Sequence, residues 1–161
     1  MLRKLALLGA AGAMLAACSH DEAPARFQKG SGLSYGFFFS DEGPTAKLAY
    51  GEANSDNVGM MLECAKGSRM VEVTDAVRSA PSPTLTLVSG GARSDLKAGV
   101  DAGEGGTLLV AKAPSSAAAL KGFRRSGKIE VAYAGLRYQM TASSKEREGV
   151  ERFFSACEAR T

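Results

Sequence analysis

Histidine sets the first limit on the chemistry available to this chain: among 161 residues there is one, His20, two positions after Cys18. An imidazole is the general base of Ser-His-Asp and Cys-His sites and a ligand in most catalytic zinc centres. Everything after position 20 must do without it. Carboxylates remain, and a pair about 5 to 10 Å apart in a cleft could act as acid and base on a glycan. The candidates are Asp41, Glu42, Asp95, Asp101, Glu104 and Glu130. Most fall in turn-rich segments or on the polar side of an alternating run, where solvated charge is the ordinary expectation. Ser68, or Ser126 in Ser126-Gly127-Lys128, could be matched to a Ser-Lys pair, but Ser-Gly before a strand is common turn sequence. The glycines of 89–91 and 101–106 lack the GxxxxGK[ST] spacing of a phosphate cradle and suit hairpin loops better. Asp101 and Glu104 supply too few oxygens for an EF-hand calcium loop. The sequence therefore predicts no catalytic residue, no metal and no cofactor.

Binding chemistry is better represented. Lys121, Arg124, Arg125 and Lys128 fall within eight residues, and Arg137 follows on the next hairpin. Together they would form a patch for anionic head groups or an acidic partner. The competing expectation is a solvated helix face whose cations complement the helix C-terminus. Lys121, Arg124, Arg125 and Arg137 are the residues assigned here to partner contact. Phe38 lies on the face opposite Phe37 and Phe39, so either that strand is covered on both sides or Phe38 is an exposed anchor.

The elements that must position these groups follow from periodicity. Leu33, Tyr35, Phe37 and Phe39 alternate with Ser34, Gly36, Phe38 and Ser40, the period of a half-buried strand. A second strand is predicted over 45–50, followed by a turn-rich loop at 53–59. Met60, Leu62 and Cys64 share one strand face, Val71 and Val73 another, and Leu85 and Leu87 a third after Pro81-Ser82-Pro83. A weaker strand is read over 92–100, a loop over 101–106, and a strand over 107–112. Ser115 or Ser116 can cap a short helix near 115–125 that carries Leu120 and Phe123 on one side and stops at Gly127. Ile129, Val131 and Tyr133, a turn at Ala134-Gly135, and Leu136, Tyr138 and Met140 make a hairpin. Ser143 and Glu146 have capping-box spacing before a helix near 144–158, whose Val150, Phe153, Phe154 and Cys157 form one stripe. The fold class is α+β, mainly β: an antiparallel sheet, curled or sandwich-like, with two helices.

The cysteines and the leader point to a compartment. Arg3 and Lys4 precede an apolar run over 5–13 too short to span a bilayer, and small residues lead to Leu15-Ala16-Ala17-Cys18. This tetrapeptide resembles the lipobox of bacterial lipoproteins. The resemblance implies cleavage after residue 17, lipidation of Cys18, and a membrane partner held through the anchor. Ser19 after the cysteine resembles the default outer-membrane class, with the domain facing the periplasm in a two-membrane cell. Removing 17 of the 161 residues leaves 144. Arg3 and Lys4 depart with the leader, so 18 of the 20 basic residues face 17 acidic ones. A near-neutral domain has no electrostatic case for nucleic acid.

Residues 18–32 then form the lipidated cysteine and a polar tether containing Pro24, and 33–161 one globular domain. Cys64 and Cys157 remain, an even pair in an exported protein. Each points the same way as neighbouring core residues, so a disulfide is expected if the last helix lies on the sheet. Two buried thiols that never meet are the alternative. Leu62 and Cys64, Leu120, and Phe154 to Cys157 are similar to small disulfide-containing periplasmic β domains such as the one associated with type VI secretion. That similarity implies a β-rich envelope domain and carries no activity with it. The expected function is a non-catalytic binding or accessory module of an envelope assembly. The alternatives are an inhibitor of a lysozyme-type glycan hydrolase and a carboxylate-dependent glycan hydrolase.

Overall fold

The computed structural model describes residues 34–77, 83–103 and 106–160. The elements are β1 (Tyr35–Glu42), β2 (Thr45–Glu52), β3 (Val58–Ala65), β4 (Met70–Val77), β5 (Thr84–Ser89), β6 (Ala92–Gly103), β7 (Gly106–Pro114), α1 (Ala118–Ser126), β8 (Lys128–Tyr133), β9 (Leu136–Thr141) and α2 (Arg147–Glu158). The fold is mainly β, with nine strands in the order β1-β2-β3-β4-β7-β6-β5-β8-β9. Every neighbouring pair is antiparallel. Lipidation of Cys18 and the tether at 18–32 lie outside the described residues.

The sheet curls at β6. Residues 92–97 pair with β5, whereas 98–103 pair with β7. At the corner, the Ala98 N–H donates to the Pro83 carbonyl at 2.9 Å while Ala98 already stands opposite Ala111. Small residues at Ala98 and Gly99 let the strand bend there. The curl brings two inner faces together. On one, Phe39, Leu48, Leu62, Val73, Ala111 and Ala98 form a register row, with Leu48, Leu62 and Val73 fully buried. On the other, Leu85, Leu87, Ile129, Val131, Tyr138 and Met140 are buried. Hydrophobic burial on that scale, about 25 cal/mol per Å² of apolar surface, is the main driving force for the curl.

Both helices close the open side of this curl. In α1, Leu120 and Phe123 are fully buried, and Gly122 lies so close to β5 that a Cβ there would stand 2.6 Å from the Ser89 carbonyl oxygen. The predicted stop holds: Gly127 has φ 67° and its N–H donates to Phe123 O at 2.7 Å. The predicted cap does not. The residue before α1 is Ala117, Ser115 is buried with its hydroxyl on Glu158, and Ser94 Oγ of β6 instead accepts the Ala119 N–H. An acceptor from β6 replaces the local one.

The stripe Val150, Phe153, Phe154 and Cys157 is buried as the spacing predicts. Half of the capping box forms, with the Ser143 N–H donating to Glu146 Oε2 at 2.8 Å, while α2 itself begins at Arg147. Cys157 is joined to Cys64 by a disulfide, with Cα atoms 5.8 Å apart. Beside it, the β3–β4 turn caps the C-terminus of α2: Gly67 N–H donates to Ala156 O and Arg69 N–H to Cys157 O.

Two strand limits differ from expectation. β6 and β7 run through most of the predicted 101–106 loop, because pairing with β7 recruits Asp101, Ala102 and Gly103 despite their turn composition. Phe38 is 43% exposed on the outer side of β1, so the strand is not fully covered on that side among the described residues.

The β8–β9 turn carries a correctable strain. Ala134 and Gly135 have φ of 46° and 81°, the left-handed pair that such a two-residue hairpin needs. Alanine is a poor occupant of that region, where asparagine is favoured. Ala134→Asn should raise stability by about 0.5–1 kcal/mol, seen as a higher denaturant midpoint with an unchanged slope.

Candidate binding surface

The basic residues assigned to partner contact do not form one patch. Lys121 and Arg125 lie one turn apart on the exposed side of α1, and neither side chain has an ion pair among the described residues. Lys128, at the start of β8, is exposed and likewise without one. Arg124 faces inward, toward α2. Its Nε donates to Glu151 Oε2 at 2.9 Å, one terminal nitrogen to Glu158 Oε2 at 2.8 Å, and the other to Glu151 Oε1 and to Ser155 Oγ. The guanidinium also stands 5.9 Å from the centroid of the Phe154 ring.

These contacts shift all three charged groups in the mutually stabilising direction. The hydrogen bond to Glu151 raises Arg124 above its ordinary value. The same bond lowers Glu151, and the Ser115 hydroxyl followed by Arg124 lowers Glu158. Arg124 is a tie between the helices. Arg137 sits apart as well. It stands opposite Ala132, four residues from Lys128 and so about 13 Å along the strand, and bonds Glu130 Oε1 at 3.3 Å. With Arg93 it borders an open hollow floored by Ala132.

The carboxylates considered for acid–base work are dispersed and mostly paired. Asp41 meets Lys66, Glu42 accepts the Ser40 hydroxyl, and Glu130 meets Arg137. Asp95 is held below its ordinary value by hydrogen bonds from Arg93 and then Thr86. Asp101 accepts its neighbour's N–H at Ala102, and Glu104 lies outside the described residues. Ser68 bonds the backbone of Met70, and Ser126 the backbone carbonyl of Lys128. Both serines are thus engaged as turn residues. Among the described residues no group of three or more His, Cys, Asp or Glu could hold a metal ion.

One titratable residue escaped the sequence reading. Asp75 on β4 is fully buried, in the inner register row Phe37, Tyr50, Met60, Asp75, Leu109. Its Oδ1 accepts the hydroxyl of Tyr138 from β9, and its Oδ2 has no hydrogen-bond partner among the described residues. Burial pushes the carboxyl up to about 7, opposed by the Tyr138 hydrogen bond. Burial, and then the Asp75 charge, also raise Tyr138 well above its ordinary value. The signal was present: Val71 and Val73 face inward, so period two carries Asp75 to the same side.

Of these basic side chains, those of Lys121, Arg125 and Lys128 are thus the exposed ones without an ion pair among the described residues. Comparison with known protein families, with curated proteins and with solved structures finds no match for this chain.

Proposed function

We propose that this chain is a lipid-anchored envelope protein whose β domain binds a partner and catalyses no reaction. The observation that carries the reading is the lipobox-like Leu15-Ala16-Ala17-Cys18 ahead of a domain whose other two cysteines form a disulfide. A lipidated cysteine belongs to the cell envelope, and a disulfide between the other two suits the same oxidising side of the membrane. In a two-membrane bacterium the domain faces the periplasm from the outer membrane. Its contact surface is the cationic exit of α1, where Lys121, Arg125 and Lys128 are exposed and without ion pairs among the described residues. The partner chemistry this favours is acidic: a carboxylate-rich protein face.

The test is crosslinking in intact cells, with purification of the lipidated protein in detergent. A Lys121→Glu/Arg125→Glu variant runs alongside, and Arg124 is left intact because it ties the helices. A saturable partner that is lost in the variant is the expected result. No partner in either sample overturns the reading, and stoichiometric inhibition of a lysozyme by the same preparation would replace it with the inhibitor alternative. Cys18→Ser should release the domain from membranes or block its processing. Unchanged membrane retention after correct cleavage would defeat the anchor.

A further inference from the structure

Asp75 lies where a strand from the first half of the sheet meets the last strand of the second. β4 and β9 share no backbone pairing in the strand order, yet the Tyr138 hydroxyl reaches across the core to Asp75 Oδ1. The flanking register neighbours are Met60 on β3 and Leu109 on β7, both apolar and fully buried. Titratable groups approach from three strands. Tyr138 from β9 bonds Asp75 directly, while Tyr133 from β8 and Tyr50 from β2 act on Tyr138. From the helical side, Glu146 just before α2 acts on Tyr50. Among the described residues no lysine or arginine acts on Asp75. A carboxylate formed there would be a buried charge with one hydrogen bond and no counter-ion, which is costly. A protonated carboxyl keeps the Tyr138 bond without that charge.

We propose that Asp75 and Tyr138 form a proton-controlled clasp that holds the β8–β9 hairpin against β4, closed while the Asp75 carboxyl is neutral and opened on ionisation by the cost of the buried charge, which the Tyr138 bond offsets only in part. The clasp is independent of the partner and of the lipid anchor. Its sign follows from linkage. The folded-state value, about 7, lies above the ordinary 3.8. The stabilising contribution is therefore complete below the ordinary value and is lost as pH rises through about 7. The first region to loosen is the β8–β9 hairpin, because β9 is an edge strand paired only with β8.

The experiment is thermal unfolding of the full chain, disulfide intact, from pH 5 to pH 8, with hydrogen exchange of the β8–β9 amides corrected for intrinsic rates. In the native sequence Tm should fall on the order of 10 °C across that range, and hairpin opening should rise with it. Asp75→Asn keeps an acceptor for the Tyr138 hydroxyl and cannot ionise, so its profile should be flat and its Tm higher than the native one at pH 8. Tyr138→Phe removes the bond that favours the charged form, so the midpoint of the pH transition should move to higher pH. A profile in Asp75→Asn as steep as the native one overturns the clasp. So does an unmoved midpoint in Tyr138→Phe, which decides the matter alone if the asparagine variant does not fold.

Discussion

Replacing Cys64 and Cys157 together by alanine is expected to lower stability by about 2–5 kcal/mol, with a chain-entropy estimate of about 4.6 for a loop of this length. The two cysteines stand 93 positions apart, so the bridge closes a loop from β3 to the last turn of α2 and leaves β1 and β2 outside it. Its removal enlarges the unfolded ensemble and frees the last turn of α2 from β3. That turn would then depend on the backbone bonds from Gly67 and Arg69 and on Phe153 and Phe154 packing beneath it. Urea unfolding of the oxidised protein and the double variant measures the effect. A lower midpoint and faster exchange of the amides at 154–158 are the expected pair of results. A stability change under about 0.5 kcal/mol, typical of a neutral surface substitution, would mean that helix packing alone fastens the C-terminus.

Phe123→Ala is expected to cost about 3–5 kcal/mol, the range for removing a fully buried ring without collapse of the site. The ring is fully buried, 5.1 Å from the Phe37 centroid and 6.2 Å from that of Phe154. One side chain thus joins β1, α1 and α2. The backbone around it cannot close the resulting hole, because Gly122 is already at contact distance from Ser89. Phe123→Leu should recover part of the loss. Arg124→Ala, which removes the neighbouring ion pairs with Glu151 and Glu158 from a side chain 28% exposed, should cost about 1 kcal/mol or less. Chemical denaturation of the three variants orders them, and a Phe123→Ala loss no larger than that of Arg124→Ala would contradict this account of the core.

The strands were legible because one face of each is buried and the other is not, so period two appears in the residues themselves. Met60, Leu62 and Cys64, or Ile129, Val131 and Tyr133, name their inner faces without help. Strand order was not legible. Alternation says which way Val73 and Leu87 point and nothing of whether β4 pairs with β5 or with β7. The pairing of β4 with β7 and of β5 with β8 depends on contacts across long stretches of chain. The same limit applied to the surface. Arg124 looks like its neighbour Arg125 in sequence, and its engagement follows from Glu151 and Glu158, 27 and 34 positions away on another helix. Asp75 was within reach of the pattern and lost by ending the alternation before it, whereas β4 runs on to Val77. The disulfide was readable because both cysteines fall on apolar stripes.

The shared strand β6 has a consequence for how the molecule comes apart. Six of its residues complete one half of the sheet and six the other, so neither half possesses a full set of partners alone. A state with only one half folded would leave the far portion of β6 with its backbone groups unmatched and an apolar face open to water. Each such group costs about 1 kcal/mol or more when it stays buried, and the bared face invites association with other chains. Half-folded species are therefore disfavoured from either direction. Residues 92–103 act as a coupling rod: what loosens one half of the sheet is felt in the other, and the domain passes between its folded and unfolded forms as a single cooperative unit.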